Sequence, residues 1–218
     1  MGEAELDKQD HTIKIHAELI FYGNAANDML ARQIAEDVAT YWNGPGASVL
    51  IHHEWYKVGF IIKGFYSADL TDIEVYENTD PRKNYFRIEE YARGNISFVD
   101  GINSNTGYFK LENLLDNSTT AAHEFGHTIG LEHPEVMDIR GKGIPGIMYP
   151  RGTIVDPHFQ YDPMAEAGTK GGTMNPFTRK VLLKDIDDLH LDRLQFNERG
   201  FAMVGDFTSV WHEAHVPS

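Results

Sequence analysis

The 218-residue chain has no cysteine, so disulfides cannot contribute to its stability. Long apolar runs are missing too, and no stretch approaches the roughly 20 residues needed to span a bilayer. The opening Met1-Gly2-Glu3-Ala4-Glu5-Leu6-Asp7 has neither a basic start nor an apolar core, so it does not read as a signal peptide. Leu6 stands where a myristoylation site needs serine or threonine. Positive charge is the scarcer sign: 19 Lys and Arg against 33 Asp and Glu leave a net charge of -14. That balance argues against nucleic acid and anionic membranes as partners. An acidic cleft would favour basic or neutral ligands, although net charge does not locate a cleft. Internal repeats and low-complexity segments are also lacking. What remains is a chain of ordinary composition, most simply one domain with a proper core.

Against that background, residues 123–133 read H-E-F-G-H-T-I-G-L-E-H. Helical periodicity puts His123 and His127, four apart, on one face, where both imidazoles can reach one ion. Gly130 follows where a helix commonly ends through a left-handed residue, so the chain can turn and return His133 as a third ligand. Three protein ligands leave the fourth zinc position to water, the arrangement of a catalytic site. Glu124, beside the first ligand, is placed to take that water's proton. Asn117 and Ser118 are candidate N-caps for this helix. Phe125, Ile129 and Leu131 read as the core residues that would hold it against a sheet.

Alternation of Ile13, Ile15, Ala17, Leu19 and Phe21 predicts a strand. Leu30, Ile34, Val38 and Tyr41-Trp42 predict a helix over 25–43, stopped by Gly44-Pro45-Gly46. Further strands are expected at 49–51, 58–62, 96–99 and 107–111, the last two around the turn 100–105. That oxygen-rich turn offers calcium as an alternative to a plain solvated turn, but its spacing is not that of an EF-hand. Residues 67–95 read as a long loop or edge region. His52-His53 are placed in a strand, on opposite faces. His158 and Tyr161 are taken as surface residues, with contact to substrate or an oxyanion as the alternative. His212-Glu213-Ala214-His215 reads as tail.

The extended motif, together with Gly146-Ile147-Met148-Tyr149-Pro150 downstream, resembles the metzincin metallopeptidases, most closely their matrixin branch. The match covers the zinc helix, the methionine turn and, more weakly, Val181–Leu189. The resemblance implies an α+β fold. Its parts would be a twisted mixed sheet of about five strands, an N-terminal helix and the active-site helix, then a C-terminal part with a methionine turn and a helix. It also implies a single catalytic domain over 1–218, with residues 1–133 above the cleft and 134–218 below. Met148 would be the floor beneath the zinc, and Tyr149 and Pro150 would begin the wall of the pocket for the residue after the scissile bond. Asp185 would bond to the methionine turn. Lys184 stands where the family has a further aspartate. Ile96, Ser97, Phe98 and Val99 would be the edge strand that pairs with extended substrate. The family's second, structural zinc is not expected, since no histidine lies between His53 and His123. Without cysteine, a propeptide thiolate within this chain cannot cap the zinc.

The resulting expectation is a zinc-dependent endopeptidase acting on peptides or proteins, monomeric and secreted as a mature or excised module. Hydrolysis of a non-peptide amide, or a non-catalytic binding module on the same fold, are the alternatives.

Overall fold

The computed structural model describes residues 1–216. Its fold is α+β: a curled mixed sheet of eight strands with few helices. The centre is β2 (Thr12–Tyr22). Its predicted inward residues Ile13, Ile15, Ala17, Leu19 and Phe21 are all buried. One flank of β2 pairs in parallel with β4 (Glu54–Tyr66), which in turn carries β3 (Ser48–Ile51) antiparallel at the sheet edge. The other flank is divided. Its first half pairs with β1 (Gly2–Asp7), which carries β8 (Phe201–Val204), and its second half with β5 (Lys83–Glu89). Beyond β5 lie β7 (Thr106–Lys110), parallel, and β6 (Phe98–Val99), antiparallel, as the last strand on that side. Phe21, Phe86 and Phe109 stand on three neighbouring strands, and the last two stack at 4.8 Å between centroids. Each such pair adds roughly 0.5–1.5 kcal/mol beyond area burial.

Helix α1 (Asp28–Asn43) starts where Asn27 accepts from the Leu30 N–H, satisfying one orphan donor of the first turn. Its buried stripe is Ala31, Ile34, Ala35, Val38 and Trp42. Trp42 fixes the next layer: its indole Nε1 donates to the Ala122 carbonyl at 3.0 Å, and its ring meets Phe125 edge-on. Both contacts fall on helix α3 (Thr120–Thr128), whose nine residues are all buried. The sheet therefore holds α1, and α1 holds α3.

Several sequence expectations require correction. The sheet has eight strands, not about five. Residues 67–95 are not a loop or edge region: they contain a short helix, α2 (Asp72–Tyr76), and β5, an interior strand between β2 and β7. Polar lettering hid it, because Asn84 is buried as a donor to the Met1 carbonyl and Arg87 is paired with Glu89. His52 and His53 are not in a strand. They form the two-residue turn between β3 and β4, with φ of 48° and 71°, the handedness that lets a tight hairpin follow strand twist. Only Phe98 and Val99 of the 96–99 segment are strand. The helix expected at 181–189 is the five-residue α4 (Leu183–Asp187).

The C-terminal segment is not a loose tail. Trp211 stacks on Tyr22, the His215 ring lies over Tyr108, and His212 Nε2 meets Asp100 at 2.9 Å. Asp100 also accepts from the Thr106 hydroxyl, so the carboxylate that opens the 100–105 turn is committed to protein partners. Among the described residues, no helix is long and apolar enough to cross a membrane.

Candidate metal centre

Helix α3 begins one residue later than the N-cap candidates suggested. Ser118 still supplies the capping contact, its hydroxyl accepting from the Thr120 N–H at 3.1 Å. The Thr119 hydroxyl is engaged elsewhere: it donates to the Pro176 carbonyl and accepts from Arg179 Nε. At the other end Gly130 has φ of 101°, a backbone that a Cβ would strain, and its carbonyl-side turn brings the chain back toward the helix. The Leu131 N–H closes onto the Gly126 carbonyl, and the Leu131 carbonyl accepts from His127 Nδ1 at 2.7 Å. His123 Nδ1 donates likewise to the Ile147 carbonyl at 2.7 Å.

Those two bonds fix the tautomers. A carbonyl only accepts, so Nδ1 carries the proton in both rings and each Nε2 presents a lone pair. His133 Nε2 lies 3.1 Å from both of those atoms, and the three ligand atoms all fall within 4.8 Å of one another. If His133 Nε2 carries a proton it can donate it to one neighbour and leaves the other's lone pair unanswered, and if it does not, three lone pairs converge; hydrogen bonding alone does not satisfy the group. A cation satisfies all three. Nitrogens bound to a tetrahedral zinc at about 2.0–2.1 Å stand about 3.3 Å apart, close to the observed separation. Burial lowers the pKa of all three imidazoles, keeping them in the neutral form that binds metal. The three-histidine group, with His123 and His127 buried and His133 exposed, can thus hold a metal ion, and it is the one such cluster among the described residues.

Glu124 is buried beside them. Desolvation pushes its carboxyl up to about 8, against the opposing pull of Arg179 and of the Val99 N–H that donates to Oε2 at 3.1 Å. A metal cation on the imidazoles would draw it down again.

Met148 is buried directly against α3: a Cβ added at Gly126 would lie 2.3 Å from its sulfur. The chain turns at this point through the Tyr149 N–H to the Gly146 carbonyl, and the turn rests on Asp185. Asp185 accepts from the Leu182 N–H at 2.7 Å and from Ile147, and burial pushes its carboxyl up to about 6. Because the Ile147 carbonyl holds His123, Asp185 supports an imidazole through one intervening residue.

A cleft of about 360 Å³ opens over the histidines. It is lined by Ile96, Ser97, Phe98, Val99, Glu124 and Pro150 from the expected set. Tyr149 instead borders a neighbouring cavity with Met148 and Asp185, and packs toward the small core of Ile139, Val155 and Met174. His158 and Tyr161 are not among the residues lining the cleft. Sequence reasoning missed Thr120, Arg151 and Arg179, which do line it. Arg179 is 4 % exposed, donates from Nε to Thr119 and from Nη1 to the Tyr149 carbonyl, and is lowered by burial to about 10. No family model matches the chain, and no curated protein does.

Proposed function

We propose that this chain is a zinc-dependent endopeptidase of the metzincin type, nearest the matrixin branch. The observation that carries the reading is the convergence of His123, His127 and His133 Nε2 beside a buried carboxylate, in a cleft bordered by a strand with one unpaired edge. A borderline ion such as zinc suits three imidazoles, and when bound there it polarises a carbonyl and acidifies a water.

The residues of the chain divide the remaining work. Glu124 takes a proton from the attacking water and passes it to the departing amine, so that water adds across the peptide bond to give a carboxylate and an amine. Its Oε2 is held by Val99, which leaves Oε1 to exchange the proton. The outer edge of β6, apart from the Val99 N–H already given to Glu124, offers backbone groups to an extended chain, a sequence-tolerant mode of peptide capture. Met148 packs beneath the helix at Gly126 and, with Asp185, sets the height and angle of the first imidazole. In this reading residues 1–133 form one side of the cleft and the chain after 133 supplies the other through Pro150, Arg151 and Arg179, before returning to the first side at β8 and in the contacts of Trp211 and His215; an endopeptidase of this type acts outside the cell.

The test is Glu124→Gln. It is expected to retain zinc, measured by metal analysis, while losing turnover by about a thousandfold, the middle of the range for a general base. Internal cleavage of a blocked decapeptide library by the wild-type chain, abolished by a zinc chelator, is the companion result. Wild-type rates from Glu124→Gln, or no internal cleavage of any peptide, would remove the reading.

A further inference from the structure

The cleft runs against the charge of the molecule. The chain as a whole carries 33 acidic and 19 basic residues, yet the residues lining the cleft include two arginines, Arg151 and Arg179, and a single carboxylate, Glu124. Arg179 is the unusual one. A guanidinium buried to this degree costs several kcal/mol of desolvation unless a carboxylate answers it. Among the described residues, no acidic group lies within ion-pair distance of Arg179. Glu124 attracts it from farther away, but that carboxylate is already bonded to Val99.

The guanidinium of Arg179 is held at two of its three nitrogens. Nε is bound by the Thr119 hydroxyl and Nη1 by the Tyr149 carbonyl, both at 3.0 Å, and Nη2 has no acceptor among the described residues. Thr119 stands at the start of the metal helix and Tyr149 directly follows Met148, so the group is fixed relative to the reacting centre. A rigid, desolvated fork with free donors matches a carboxylate, which can accept two parallel N–H bonds. Exposed Arg151, anchored to Asn113, adds a second positive charge at the cleft.

We propose that Arg179 is a carboxylate receptor, so that the preferred substrate is a peptide with an acidic side chain close to the scissile bond. The inference rests on the peptidase reading and deepens it. It also reverses the preference for basic or neutral ligands that the net charge suggests, because the cleft carries the opposite local sign.

The test uses the zinc-loaded full chain and internally quenched peptides with amidated C-termini. They are identical except for one position, scanned on both sides of the bond as Glu, Gln, Leu or Lys. Glu is expected to exceed Gln in kcat/KM by about tenfold or more at one position, consistent with a charge-assisted bidentate contact. Arg179→Gln should erase that ratio, and Arg179→Lys should keep part of it. A Gln peptide with a free C-terminus separates the two sources of carboxylate: a gain confined to the free terminus would overturn an acidic side chain as the ligand. Equal rates for Glu and Gln in the wild type would overturn the proposal while leaving the peptidase reading intact. Should no peptide be cleaved, calorimetric binding to Glu124→Gln still decides. A Glu peptide held about tenfold tighter than its Gln counterpart supports the receptor, and equal affinity overturns it. If Arg179→Gln does not fold, the wild-type ratio and Arg179→Lys decide between the same outcomes.

Discussion

The backbone N–H of Val99 donates to Oε2 of Glu124 at 3.1 Å, joining the outermost strand of the sheet to the carboxylate beside the first imidazole. The Asp100 N–H turns inward to the Thr106 carbonyl, so by strand alternation the Val99 N–H faces away from β7. Proline is tolerated on an edge strand where its missing N–H is not part of the ladder. Val99→Pro should therefore remove the tether to Glu124 and little else. The expected result is unchanged zinc content with kcat/KM lowered by about ten- to a hundredfold, since a misplaced catalytic group is costly even over short distances. Unchanged kinetics would show that the bond does not position the base.

Gly126 leaves room for the Met148 sulfur. Alanine there would place its Cβ 2.3 Å from that atom and 3.2 Å from the Trp42 ring. Glycine to alanine in a helix ordinarily gains up to about 1 kcal/mol, whereas overpacking costs about 1–3 kcal/mol. Crowding should win, because Met148 is itself 3 % exposed and has little room to retreat. Gly126→Ala should lose about 1 kcal/mol in urea unfolding, and the loss should vanish or reverse when it is made in a Met148→Ala background. The same loss in both backgrounds would mean that the contact does not govern the position.

Asp185 gives the fold a pH dependence of definite sign. Its carboxyl sits at about 6 when folded, above the ordinary carboxylate range, because burial outweighs the two backbone N–H bonds. The folded chain therefore holds this proton more tightly than the unfolded one. The corresponding stabilisation is fully present below about pH 4 and is lost as pH rises through 6. Asp185→Asn removes that component. The stability of the wild type relative to Asp185→Asn should fall by on the order of 2–3 kcal/mol between pH 4 and 7, measured without metal so that ligand protonation cancels. A difference that is flat with pH would refute the assignment.

The three histidines were legible because their geometry is local: four residues along a helix, then a glycine turn, fix all three with little help from the rest of the chain. The alternation of β2 and the apolar stripe of α1 were readable for the same reason. Strand β5 was not, since its letters, K-N-Y-F-R-I-E, look polar and its burial depends on partners far away in sequence. Asn84 is tolerable inside only because Met1 answers it, and Arg87 because Glu89 does. The His52-His53 turn lacks the glycine or asparagine that normally announces a hairpin. Arg179 was invisible for a deeper reason: 55 residues separate it from Glu124 in the sequence, and no spacing rule links them.

One guanidinium fastens the lip of the cleft. Arg179 binds Thr119, at the head of the metal helix, and Tyr149, on the strand of chain that passes under it. Widening the gap means breaking two bonds to a desolvated cation, roughly 3–6 kcal/mol. The aperture is thus set when the protein folds and does not gape to admit a guest. Under the peptidase proposal, a polypeptide substrate would have to reach it already unravelled.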